Sequence, residues 1–294
     1  MESFLNPTGR IVIRATNTAG EFFYLFFMTL VELVRPPYRW KDIFKQLNFV
    51  MVESAPIVVF CVCSAAAVTI IESSFHMKIA IKNDELVPGF AALLILRELG
   101  VVISALLITS RVGAGLAAEV GSMQITEQID ALKMLSMNPV RFIVLPRFIA
   151  CVIGGVTLSF MANLVCLYVA MKISEFKLGY SPGSFIVAMR SFVEMKDLWF
   201  AAIKGGVFGA VIPIVSCFYG FRCKAGAEGV GLSTTNSVVT SSVAIIGLDF
   251  LDVLAVLLLL LSFGWWRNGL YFYLFLLIWA RKCLRKWQCR QRSL

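Results

Sequence analysis

Long apolar runs separated by short polar intervals set the plan of the chain. Predominantly apolar runs at about 47–71, from Val87 past Ile108, 142–171, 198–219 and 235–262 each match the ~20 residues needed to cross a bilayer core. They predict five membrane-spanning helices, because alternating strands of a barrel are not seen. Residues 22–34 are apolar but carry Glu32 and stop at Arg35-Pro36-Pro37. Thirteen residues are too few to span, so an interfacial helix is expected there, ended by the prolines. The run 264–280, GWWRNGLYFYLFLLIWA, is a sixth candidate span, shortened by Arg267 and Asn268; an aromatic interfacial helix is the alternative. Between the second and third runs the pattern turns amphipathic. Ile125, Ile129, Leu132 and Ser136 share one side, with Gln124, Glu127, Gln128, Asp130 and Lys133 over the rest. That spacing predicts a short surface helix, ended by Asn138-Pro139.

Charge assigns the sides. RPPYRWKDIFK, FRCKAGAEGVG with Arg222 and Lys224, and the terminal Arg281, Lys282, Arg285, Lys286, Arg290 and Arg292 are rich in basic residues and are placed in the cytoplasm. The loop 72–87, with Glu72, Asp84 and Glu85 against Lys78 and Lys82, suits the outer side; the mixed loop 172–197 follows it there by the count of spans. The expected organisation is an N-terminal interfacial region (1–46), a membrane domain (47–262) and an aromatic, basic tail (263–294). No regular repeat is visible.

Composition supports this plan. Of 294 residues, 59% are hydrophobic and 15% charged, against ~45–50% and ~25% in soluble domains. The net charge of +9 follows from basic flanks of apolar runs and does not point to nucleic acid. The eight cysteines form no C-x-x-C pair and mostly lie in apolar runs, where thiols act as small hydrophobes. With one histidine, His76, no metal site is expected. The N-terminus lacks the pattern of a cleavable signal, so insertion is expected to rely on the spans.

A few polar residues inside the spans are candidates for chemistry. Arg97 and Glu98 stand within the second span, where charges cost at least ~2.5–3.5 kcal/mol each and usually face a cavity or a partner. Neighbours on an α-helix point ~100° apart, so mutual neutralisation is not expected. Two readings stay open: a polar patch lining a cavity, with Arg97 forking onto a phosphate, or an interhelical ion pair holding the bundle. Gly113, Ala117 and Gly121 recur every four residues and form a face for close helix packing. Asp249 and Asp252 share a face of the fifth span, suited to packing, a dimer contact or a proton relay. No G-x-x-x-x-G-K-[ST] occurs, so any nucleotide-driven work needs another chain. No catalytic hydrolase pattern is present either.

RELG (97–100), RVGAGLAAEVGSMQITEQIDAL (111–132), NPVRFIVLPR (138–147), GAEGVGLSTTNSVV (226–239) and GLDF (247–250) resemble the MlaE (YrbE) permease family, with the spacing intact over roughly 10–262. The resemblance implies the membrane subunit of an ABC transporter that moves phospholipids or related lipids between the inner and outer membranes of bacteria. It implies a homodimer in the inner membrane, with a lipid cavity between protomers lined by Arg97 and Glu98. A cytoplasmic ATPase, which binds the ATP and Mg²⁺, would grip a coupling helix at about 118–138 through Glu119, Glu127 and Asp130. A periplasmic MCE-domain protein above the dimer and a STAS-domain protein beside the ATPase are also implied. The chain departs from the family at Val101, where proline is common, and at Gln124 and Lys133, where arginine and glutamate are common; a divergent, matched ATPase follows. Two other functions fit the residues: a proton-coupled secondary transporter using Asp249, Asp252 and Glu98, and a non-transporting anchor for an ATPase and MCE assembly.

Overall fold

Large apolar side chains face outward along the helices. Phe60, Val68, Leu164, Tyr168, Trp199, Ile203 and Val243 are all exposed. Small and polar residues such as Ser104, Thr109, Ser159, Ser216 and Ser237 are buried instead. This is the arrangement of helices solvated by lipid, where small and hydroxylated residues make the interior contacts. The computed structural model describes residues 2–36, 38–80, 87–224 and 226–262. Among them there is no strand, and five segments are long and apolar enough to cross a membrane.

The helices in chain order are α1 (Glu2–Leu33), α2 (Trp40–Met51), α3 (Ala55–Ala80), α4 (Val87–Ile125), α5 (Gln128–Met134), α6 (Val140–Lys177), α7 (Pro182–Phe192), α8 (Met195–Phe221) and α9 (Ala227–Ser262). The candidate spans are Trp40–His76, which joins α2 and α3, then α4, α6, α8 and the Ala227–Ala255 part of α9. Two compact units, Met1–Ile246 and Gly247–Leu294, are distinguished, and each is described on its own. The aromatic run 264–280 and the basic tail lie outside the described residues.

Three expectations are corrected. The N-terminal helix is not thirteen residues but 32, beginning at Glu2. Its polar first half continues the same helix, and Leu25, Thr29 and Glu32 are buried while Phe23, Tyr24 and Phe27 face out. The expected loop 172–197 contains an 11-residue helix, α7, started by Ser181, whose Oγ accepts from the Ser184 N–H, and by Pro182 in the first turn. The amphipathic stretch is not one helix: α4 runs on to Ile125, the chain breaks at Glu127, and α5 spans only seven residues.

Two cores stabilise the two ends of the first unit. At the α7 end, Phe185 packs with Val62, Ala66, Ala91, Ile95, Ala162 and Cys166 from α3, α4 and α6. At the α5 end, Leu25, Val120, Ile129, Ile143, Phe148, Ile214 and Phe218 bring α1, α4, α5, α6 and α8 together. Between them α6 and α8 meet through backbone. A methyl group added to Gly155 would lie 2.5 Å from the Gly205 carbonyl oxygen, and one on Gly209 would run into that of Cys151. Neither carbonyl can retreat without moving its helix. Gly209→Ala is therefore expected to lower stability by ~1–3 kcal/mol as overpacking, read as a lower melting temperature in detergent. Gly231→Ala, inside α9 and with open space for its methyl, is expected to leave it unchanged or raise it slightly.

Candidate functional site

Arg97 and Glu98 stand in a π-helical turn of α4, Ile95–Leu99, where the Gly100 N–H reaches back to the Ile95 carbonyl. Such widened turns recur at functional sites and reduce the angle between successive side chains. Both residues consequently reach the same neighbour, α8. Asp197 Oδ1 accepts from Arg97 Nε at 2.8 Å and Nη2 at 2.6 Å. Lys204 Nζ lies 3.2 Å from each Glu98 carboxylate oxygen and 3.3 Å from the Arg97 carbonyl. Asp197 and Lys204 are about two turns apart on one side of α8, so two opposite ion pairs run side by side between the helices.

The pairs are asymmetric in exposure. The Asp197 and Lys204 side chains are 3% and 7% exposed, those of Arg97 and Glu98 46% and 39%. The α8 partners are locked in the interior while the α4 pair is partly exposed. Asp197 is further fixed by its place at the start of α8: its Oδ2 accepts from the Glu194 N–H at 2.9 Å, completing a capping box with the Glu194 side chain. Thus the Arg97 fork, which one of the two open readings kept for a phosphate and the other for an interhelical ion pair, is occupied along one edge by a carboxylate. Nearby, Asn163 of α6 is buried against Gly100, and Ser104 and Ser159 share a hydrogen bond of 3.3 Å.

Neither Asp197 nor Lys204 stood out in the sequence. Lys204 is a lone charge inside an apolar run, a signal that demands a partner. Glu194 and Asp197 ahead of that run have the spacing of a helix start.

The face of Gly113, Ala117 and Gly121 lies against the second half of α8 and the turn after it. Cβ atoms built on Gly113 and Gly121 come within 3.4 Å of Ser216 Oγ and 3.3 Å of Cys223 Sγ, and Ala117 is fully buried. The tightest approach is from the other side, at Gly220, where a Cβ would lie 2.6 Å from that of Val120. Gly113 also closes a second π turn of α4, Thr109–Gly113, in which Arg111 lies 3.6 Å from Glu53.

The three acidic residues of the coupling region are not equivalent. Glu119 reaches 2.9 Å to Arg147, whose side chain is 5% exposed, and so binds the end of α4 to the base of α6. Glu127 is exposed at the break between α4 and α5, with a left-handed φ of 57°. Asp130 is exposed and pairs with Lys133 at 2.8 Å. Around these acids Met134, Leu135 and Met137 are 88%, 70% and 47% exposed. The projecting segment therefore carries apolar surface with acidic groups at its side. Asp249 and Asp252, in the second unit, are both half-buried on α9. Among the described residues no cluster of His, Cys, Asp and Glu has the makings of a metal site.

The Permease MlaE family model matches residues 43–255. The chain belongs to the MlaE permease family. The resemblance of residues 10–42 lies outside the matched range. A probable ABC transporter permease protein of Rickettsia bellii is 31% identical over 246 residues, 84% of this chain and 95% of the relative. One of Synechocystis is 34% identical over 227 residues, 76% and 84% of the two chains. The intermembrane phospholipid transport system permease protein MlaE of Haemophilus influenzae is 28% identical over 250 residues, 85% and 95%. This MlaE-family permease is a multi-pass membrane protein.

The paired charges set a stability test. Glu98→Gln removes the carboxylate that faces the buried Lys204 ammonium, and is expected to cost roughly 2 kcal/mol. That is below the ~3–5 of a fully buried pair, because Glu98 is partly solvated. Combining it with Lys204→Met, which makes both positions neutral, is expected to restore the melting temperature.

Proposed function

We propose that the chain is the membrane subunit of an ATP-driven phospholipid transporter of a bacterial inner membrane. It works as a homodimer with a cytoplasmic ABC ATPase that binds ATP and Mg²⁺. A periplasmic MCE-domain protein receives or delivers the lipid, and a STAS-domain protein attends the ATPase. The observation that carries the reading is the projecting segment from Glu127 to Met137, whose apolar and acidic surface has no use in a chain without a nucleotide-binding loop. A soluble partner covering it supplies that use.

α4 connects the two functional ends. From Arg97 to Ile125 it is unbroken over about 40 Å at 1.5 Å per residue. Closure of the ATPase dimer pushes the projecting segments, and α4 carries the displacement to the ion pairs with α8. The π turns Ile95–Leu99 and Thr109–Gly113 are where its pitch gives. The outward edges of Arg97 and Glu98 line the lipid cavity between protomers and meet the headgroup, while acyl chains lie on apolar helix faces. Two states of this assembly, with a balance that nucleotide shifts, are sufficient for transport.

Purification of the complex followed by mass spectrometry of its lipids and companion chains tests the assignment directly; phospholipid and an ABC ATPase are expected. Glu127→Lys with Asp130→Lys is expected to strip the ATPase from the permease, read as lost co-purification. Arg97→Ala and Glu98→Ala are each expected to slow lipid transfer ~10-fold or more, the scale of one charged hydrogen bond, with the ATPase still attached. Transport by the permease alone under a pH gradient, abolished by Asp249→Asn or Asp252→Asn, would instead establish proton coupling.

A further inference from the structure

The projecting segment is attached to the membrane helices unequally. It leaves α4 at the two-residue break of Thr126 and Glu127, but returns to α6 through a non-helical bend at 135–138. There Ser136 has a left-handed φ of 56°, and Asn138 precedes Pro139. Backbone bonds tie the bend backward to α5, from the Ser136 N–H to Lys133 O and from the Met137 N–H to Leu132 O. Its forward tie is Asn138, whose Oδ1 accepts from the Val140 N–H at 3.0 Å at the start of α6. A push delivered through such a bend is absorbed by the bend unless something outside holds it.

α1 supplies that hold. Asn138 Nδ2 donates to Glu32 Oε1 at 3.1 Å, and Glu32 is 6% exposed. Two further contacts flank the bond: Arg141 Nη2 donates to the Arg35 carbonyl at 3.4 Å, and the Arg39 guanidinium lies 3.9 Å over the Phe142 ring. Behind them Leu25 and the neighbouring apolar residues of α1 pack on Ile143, Val144 and Phe148. Packing does not call for a carboxylate here, since the same face carries Leu25 and Thr29. Burying one is costly unless it is bonded or paired; Arg35 Nη1 lies 4.0 Å from Glu32 Oε1, and Glu32 Oε2 has no hydrogen-bond partner among the described residues.

We infer that Glu32 is a positioning residue of the transport cycle: through Asn138 it braces the 135–138 bend, so that motion of the projecting segment moves α6. The inference rests on the ATPase-coupling reading above. It gives α1, which is not a candidate span, the role of a strut between the first turn of α6 and the end of α8.

The test uses the permease with its ATPase in proteoliposomes, with three readouts: ATPase retained per permease, lipid moved per ATP hydrolysed, and melting temperature. Glu32→Ala and Asn138→Asp, the second of which sets two carboxylates against each other, are expected to keep the ATPase but lower lipid moved per ATP by ~10-fold. Glu32→Gln combined with Asn138→Asp rebuilds the bond with donor and acceptor exchanged, and is expected to return the ratio to within about twofold of wild type. A merely structural role would lower the melting temperature and leave the ratio alone. Unchanged ratios in the single variants, loss of the ATPase from them, or a double variant no better than Asn138→Asp would each overturn the inference. If Glu32→Ala fails to fold, Asn138→Asp and its rescue decide the matter. Wild-type permease that moves lipid with no ATPase present would defeat the coupling reading and this one together, and the wild type alone shows it.

Discussion

A charge inside a lipid-solvated bundle must find its opposite, and around this requirement the α7 end of the protein is organised. Asp197 and Lys204 sit within α8, too deep for water to solvate. Arg97 and Glu98 satisfy both, but neighbours on an ordinary α-helix diverge too far to face one partner helix. The π turn brings them round. The capping box at Glu194 and Asp197 then fixes where α8 begins. Helix pitch, helix start and interhelical register thus follow from two pairs of charges. The pairs also confine a polar edge to one place on an otherwise apolar surface.

The spans were legible because bilayer thickness leaves a strong imprint: little besides a membrane crossing requires an apolar run of ~20 residues. What escaped obeys weaker rules. The first half of α1 is helical but polar, so an apolar-run criterion starts it at residue 22. α7 lies in a stretch that reads as loop because charge was the only guide to it. Glu127 breaks the amphipathic helix with a left-handed backbone that neither glycine nor proline announces. At the site, Arg97 and Glu98 were visible as misplaced charges, and they are ion-paired to α8 with part of each side chain exposed. Their partners were missed because Asp197 falls at the edge of a mixed-charge loop and Lys204 is a single letter in an apolar run. The 100° separation of neighbours, sound for an α-helix, does not hold inside a π turn.

The middle of the first unit and its α5 end differ in how they are held. The crossing of α6 and α8 is made by backbone against backbone at Gly155, Gly205 and Gly209, which leaves no side-chain layer to slide or repack. At the α5 end the contacts are side chains and single hydrogen bonds: Glu119 to Arg147, Glu32 to Asn138, Arg39 over Phe142. A rigid crossing with a softer end is suited to receiving a displacement without losing the bundle.

The π turns of α4 have a consequence for how this chain can vary. Each amounts to one additional residue carried in a helix, which the wider turn absorbs. Deleting a single residue anywhere in Ile95–Leu99 would let the turn close into ordinary α-helix. Everything beyond it, from the small-residue face to the break at Glu127, would then keep its facing, whereas the same deletion in an α-helical stretch of α4 would turn it by about 100°. Point substitutions along α4 act locally, whereas a one-codon deletion outside the π turns acts at a distance. Relatives that diverge in side chains are therefore expected to agree in length through this helix more strictly than in sequence.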